Sequence, residues 1–69
     1  MKEHLTKREQ QVLELVAIGY SNKEVGEQLY ISHLTVKTHL TRIFDRLQVN
    51  NRIQAVRKAM RLGLVPFPN

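Results

Sequence analysis

The chain has 69 residues, 42% of them hydrophobic and 25% charged, and no cysteine. That is one small domain with a thin core and no room for a deep, walled active site. Disulfides, thiolate metal sites and thiol nucleophiles are excluded together, a cytosolic compartment is expected, and no apolar run approaches the ~20 residues needed to cross a bilayer.

The net charge of +5 is unevenly spread. Residues 1–32 set Lys2, Lys7, Arg8 and Lys23 against Glu3, Glu9, Glu14, Glu24 and Glu27. Residues 33–69 set Lys37, Arg42, Arg46, Arg52, Arg57, Lys58 and Arg61 against Asp45 alone. Such a cationic half suits a polyanion, with nucleic acid ahead of an anionic membrane surface.

Taken in chain order, capping chemistry predicts four helices and no strand. Thr6-x-x-Glu9 is a capping box that opens a helix over 7–18, with Leu5 as its hydrophobic staple and Gly19 as its left-handed stop. Val12, Leu15 and Val16 line its apolar face. Ser21-x-x-Glu24 is a second capping box, opening a helix over 21–30 lined by Val25 and Leu29. Ser32 caps a third helix over 32–48, whose apolar face is Val36, Leu40, Ile43, Phe44 and Leu47. Asn50 or Asn51 caps a fourth over 51–62, with Gly63 after it and Pro66 and Pro68 barring continuation. The expected fold is all-α, a four-helix bundle in one domain spanning 1–69 with its core over about 5–64.

The second and third helices, joined at Tyr30-Ile31-Ser32, make a helix-turn-helix. Val25, Leu29, Ile31 and Val36 supply its crossing contacts, and Gly26 supplies the small residue where the backbones approach. The second helix of such a unit fits a major groove about 12 Å wide. Opposite the apolar face of the third helix lie Leu34, Thr38, Thr41, Arg42 and Asp45. Lys37 stands on one shoulder, and Thr35 and Arg46 on the other. Ser32 and Thr35, at a helix N-terminus, are placed to attract an anion.

Several spaced motifs then point to a family. Leu5-Thr6-x-Arg8-Glu9, Val12-Leu13, Gly19-x-Ser21-Asn22-Lys23-Glu24-Val25 and Leu29-x-Ile31-Ser32 come first. Thr35-Val36-Lys37-x-His39, Leu47 and Asn51-Arg52-x-Gln54-Ala55-Val56 follow. Together they resemble the LuxR-type DNA-binding domain, found in NarL/FixJ response regulators, quorum-sensing receptors and the spore regulator GerE. The resemblance covers roughly residues 5–64. It implies a bacterial transcriptional regulator whose third helix reads the major groove and whose fourth contributes to dimerisation. Lys37, Thr38 and Thr41 match the base-facing positions, and Asn22, Lys23, Ser32 and Thr35 match positions near phosphates. Relatives place a receiver or ligand-binding domain upstream, so the chain reads as an excised effector domain or a stand-alone member. Two departures stand out: Gly26 occupies a position where alanine is usual, and Gln48 one where glycine is common.

Base contacts are therefore expected from Leu34, Lys37, Thr38, Thr41 and Arg42, and phosphate contacts from Asn22, Lys23, Ser32, Thr35 and Arg46. Asp45 is read as repelling phosphate or, preferably, pairing with a nearby arginine, and His39 as a half-buried histidine or a phosphate donor. Arg52 reaches either a backbone carbonyl or a phosphate. The fourth helix carries apolar residues over about 180° of its circumference, more than one small core needs. Ala59 and Val56 are its expected core contacts, leaving Ile53 and Met60, with Arg57 beside them, as a dimer surface. His33 and His39 do not share a helix face, so no metal or other cofactor is expected. Ser21 and Ser32 are accounted for as caps, so no enzyme is expected. The partners expected are double-stranded DNA, a second copy of the chain and, as a further candidate, RNA polymerase, in the bacterial cytoplasm at the nucleoid. The competing reading is a helical adaptor that uses the fourth helix without DNA binding.

Overall fold

Each helix starts at a side chain that satisfies an otherwise unpartnered amide. In the computed structural model, which describes residues 4–66, Thr6 opens α1 (Lys7–Ile18). Its hydroxyl accepts from the Glu9 amide at 3.1 Å while its own amide donates to the Glu9 carboxylate at 3.0 Å. Ser21 and Glu24 repeat the box at 3.1 and 2.8 Å and open α2 (Asn22–Leu29). Ser32 opens α3 (His33–Leu47) and Asn51 opens α4 (Arg52–Arg61). The Ser21 amide and then its hydroxyl hold the Glu24 carboxyl below the ordinary glutamate range. The contribution of that box is complete above the ordinary value and is lost as pH falls through the lowered one. Lys2, Glu3 and Pro68, which entered the charge count and the helix stop, lie outside the described residues.

The four predicted helices are present and no strand occurs among the described residues. α3 packs against all three other helices. The core is Val12, Leu13, Val16, Val25, Val36, Leu40, Ile43, Leu47, Ala55, Ala59 and Val65. Three details differ from the sequence expectation. α1 touches α2, α3 and α4, so its buried arc widens to take in Leu13, while Leu15 is only half-buried. α4 approaches through Ala55 and Ala59, and Val56 stands at the rim. After Gly63 the chain turns back rather than leaving: Gln10 Nε2 donates to the Leu64 carbonyl, and Val65 enters the core.

The turn between α2 and α3 is tight. A Cβ built on Gly26 would lie 2.5 Å from the Ile31 carbonyl oxygen, so the residue is glycine because the backbone of the turn occupies the space of a side chain. Two non-glycine residues, Tyr30 (φ 60°) and Gln48 (φ 58°), take the left-handed conformation at the C-terminal ends of α2 and α3. At Gln48, as at Tyr30, a side chain stands where the backbone favours glycine. Its amide donates to the Asp45 carbonyl at 2.7 Å, which offsets part of the strain. Gln48→Gly should raise stability in urea denaturation by about 0.5–1 kcal/mol; a fall would mean that the side-chain bond outweighs the strain.

Candidate nucleic-acid interface

Leu34, Thr38, Thr41 and Asp45 form one ridge along the solvent side of α3, within an arc of about 60° at helical periodicity. All four are exposed, Leu34 to 64%. The ridge itself carries no cation: Lys37 and Arg42, both exposed, flank it on opposite shoulders. The threonine hydroxyls are not free donors. Thr38 Oγ1 donates to the Leu34 carbonyl at 3.2 Å and Thr41 Oγ1 to the Lys37 carbonyl at 3.1 Å, each one turn back on the same helix.

At the start of α3, Ser32 Oγ accepts from the Thr35 amide at 3.1 Å and lies 3.0 Å from Thr35 Oγ1. One of the two hydroxyls donates to the other, which leaves a single hydroxyl proton for an incoming anion. Asn22 lies across the surface from this point, and its Oδ1 accepts from Arg52 Nη1 at 2.8 Å. Arg52 Nη2 donates to the Tyr20 carbonyl, also at 2.8 Å. Of the two partners considered for Arg52, the structure gives the backbone carbonyl. An open cleft of about 470 Å³ brings Asn22, Lys37 and Thr41 together with Asn50, Asn51 and Arg52. Sequence reading treated Asn50 and Asn51 only as helix caps, because nothing local ties the α3–α4 loop to α2. Lys23 is exposed on the first turn of α2.

Arg46 differs from expectation. Its Nε lies 3.1 Å from Glu9 Oε1, and its Nη1 donates to the His4 carbonyl at 3.1 Å. Glu9 is 1% exposed, and a buried carboxylate needs such a partner. Arg46 is thus held against α1, with 40% of its side chain still in water. Asp45 makes no ion pair within 4.0 Å among the described residues, so the arginine partner suggested for it is not found there. His39 is half-buried, and its Nδ1 is shielded without a hydrogen-bond partner; the structural reading fits it. On α4, Ile53 is 66% exposed, Arg57 is exposed and Met60 is half-buried. Tyr30, at the tip of the α2–α3 turn, is 95% exposed; sequence reading placed it in the turn and missed both its conformation and its exposure.

Residues 3–59 match the model of the family described as bacterial regulatory proteins, luxR family. The chain belongs to that family. It is 52% identical over 63 residues to the transcriptional regulatory protein LiaR of Bacillus subtilis (strain 168), a match covering 91% of this chain and 30% of that protein. It is 49% identical over 61 residues to the transcriptional regulatory protein DegU of Brevibacillus brevis, covering 88% of this chain and 26% of that protein. The chain thus spans less than a third of the length of these curated relatives. Among solved structures it superposes on the transcription factor GerE with a TM-score of 0.84 and 37% identity, covering 90% of this chain and 92% of that one. LuxR-family domains are DNA-binding parts of transcriptional regulators and not enzymes. No helix among the described residues is long and apolar enough to cross a membrane.

With Glu9 buried against it, Arg46 has a stabilising role that can be measured. Arg46→Ala should lower stability in urea by roughly 2 kcal/mol, short of a fully buried pair because 40% of the Arg46 side chain meets water. An unchanged midpoint would show that solvent replaces the guanidinium at no cost.

Proposed function

We propose that α3 of this LuxR-family domain lies in the major groove and reads base edges through Leu34, Lys37, Thr38, Thr41 and Arg42. One observation carries the reading: an exposed ridge that makes no tertiary hydrogen bond among the described residues, bounded by a cation on each shoulder. Lys23, the amide group of Asn22, and the hydroxyls of Ser32 and Thr35 grip the phosphates on either side. Arg46 is left out of that grip because Glu9 engages it.

Two domains pair through the flank of α4 formed by Ile53, Met60 and Arg57. The support is that Ile53 is a large aliphatic side chain left 66% exposed on a helix that buries Ala55 and Ala59 and packs Val56 and Met60 only partly against the core. Pairing about a two-fold axis sets two recognition helices side by side, and the site becomes an inverted repeat with half-sites about one helical turn apart. The domain then serves as the DNA-binding part of a transcriptional regulator at the bacterial nucleoid, with RNA polymerase as its downstream partner.

Binding to duplex DNA should weaken steeply with salt, log K falling against log[salt] with a slope of about −0.9 per phosphate contact. Lys37→Ala should cost about 1–3 kcal/mol on the preferred site and much less on random duplex, whereas Lys23→Ala should weaken both alike and flatten the slope. Equal losses on both duplexes for Lys37→Ala would make Lys37 a phosphate contact, and a flat salt response would remove the nucleic-acid role. Ile53→Glu should abolish the two-domain complex in gel shifts while circular dichroism and single half-site binding are unchanged; stoichiometry that stays at two would rule out this flank.

A further inference from the structure

We infer that the reading ridge selects a half-site whose centre is built from A·T pairs, recognised through thymine methyl groups; the inference rests on the groove-reading role proposed for α3. A threonine on such a ridge is ordinarily counted as a donor. Here both hydroxyl protons are taken by carbonyls one turn back, at 3.2 Å for Thr38 and 3.1 Å for Thr41. A hydroxyl that donates to its own helix keeps its oxygen lone pairs and its methyl group for an outside partner. Adding Leu34, 64% exposed, the strip offers three aliphatic surfaces and two hydroxyl acceptors along Leu34, Thr38 and Thr41, with the Asp45 carboxylate a further acceptor at its C-terminal end. It offers no donor of its own, because the cationic donors Lys37 and Arg42 stand off its two shoulders.

In the major groove either pair presents two acceptors and one donor: guanine N7 and O6 with cytosine N4 in G·C, adenine N7 and thymine O4 with adenine N6 in A·T. A hydroxyl lone pair can meet the donor of either pair, but only the A·T pair adds an apolar group, the thymine C5 methyl, to match the aliphatic carbons of Leu34, Thr38 and Thr41. The methyl therefore carries the discrimination: packed against Leu34 and the threonine methyls it leaves water, a gain that a G·C pair cannot offer. Guanine is thereby displaced to the margin of the half-site, within reach of Lys37 or Arg42. The exposure of Leu34 also follows, since a leucine in water at the first turn of a helix gives the free domain nothing.

Uracil tests this directly, because deoxyuridine keeps the thymine O4 acceptor and pairing and lacks only the C5 methyl. Duplexes are selected by this domain from a randomised library at low salt, and each thymine of the selected half-site is replaced in turn by deoxyuridine. The expected result is adjacent A·T pairs at the centre, with two or more positions at which the replacement weakens binding about fourfold, the effect of one buried methyl. Leu34→Ala should erase the deoxyuridine effect at one of these positions, and Thr41→Ser, which keeps the hydroxyl and removes the methyl, should erase it at another. A selected site preferred strongly over random duplex yet indifferent to deoxyuridine, or centred on G·C pairs, overturns the methyl-reading inference and leaves groove reading intact. A domain that selects no sequence overturns the groove-reading role itself and this inference with it.

Discussion

Glu9 is a carboxylate with 1% of its surface in water, and the geometry of the domain is arranged around keeping it satisfied. One of its oxygens receives both the Thr6 amide and Arg46 Nε. The first partner belongs to the cap of α1, the second to the last turn of α3. Arg46 in turn holds the carbonyl of His4, in the chain that enters α1. A helix start, a helix end and the incoming chain therefore meet at one charge pair. A carboxylate left without its guanidinium at this place would consume a substantial part of the small margin by which a domain of this size is stable. The orientation of α3 relative to α1 is thus pinned at its C-terminal end by electrostatics, while Val36, Leu40, Ile43 and Leu47 pin the rest of it by burial.

The opposite end of α3 is set by sterics. At Gly26 the backbone of the turn comes within the space of a side chain, and Tyr30 accepts a left-handed conformation so that Ile31 can donate back to the Gly26 carbonyl at 3.0 Å. Gln48 accepts the same conformation where α3 gives way to α4. The helix that carries the reading ridge is therefore bounded on both sides by non-glycine residues in strained backbone, each costing on the order of 1 kcal/mol. Such strain is tolerated where surrounding structure over-determines the path, and here α3 packs against every other helix.

Much of this was legible in the residues. Capping boxes announce their own hydrogen-bond partners, so Thr6/Glu9 located α1 to the residue and Ser21/Glu24 located α2 to within one residue at each end, and the period of Val36, Leu40, Ile43 and Leu47 separated the buried face of α3 from its exposed one. What was not legible depended on contacts distant in sequence. Glu9 read completely as a capping residue, and nothing local shows that its carboxylate also meets Arg46. The return of Val65 to the core, the bond from Arg52 to Asn22 and the gathering of Asn50 and Asn51 beside Lys37 are of the same kind. The back-bonding of Thr38 and Thr41 is local, and helical spacing alone contains it; what hid it was the habit of counting every exposed hydroxyl as a donor.

The hydrogen bonds of the ridge close within α3 itself. Leu34, Thr38 and Thr41 are exposed and lie outside the core. Replacing them alters helix propensity by a few tenths of a kcal/mol each, well within the reserve of a folded domain. The address that such a helix reads can therefore drift, one side chain at a time, through a series of sequences that all fold. Duplicated copies of one gene can diverge toward different operators without passing through an unstable intermediate, because the surface that carries the information is energetically separate from the scaffold that presents it.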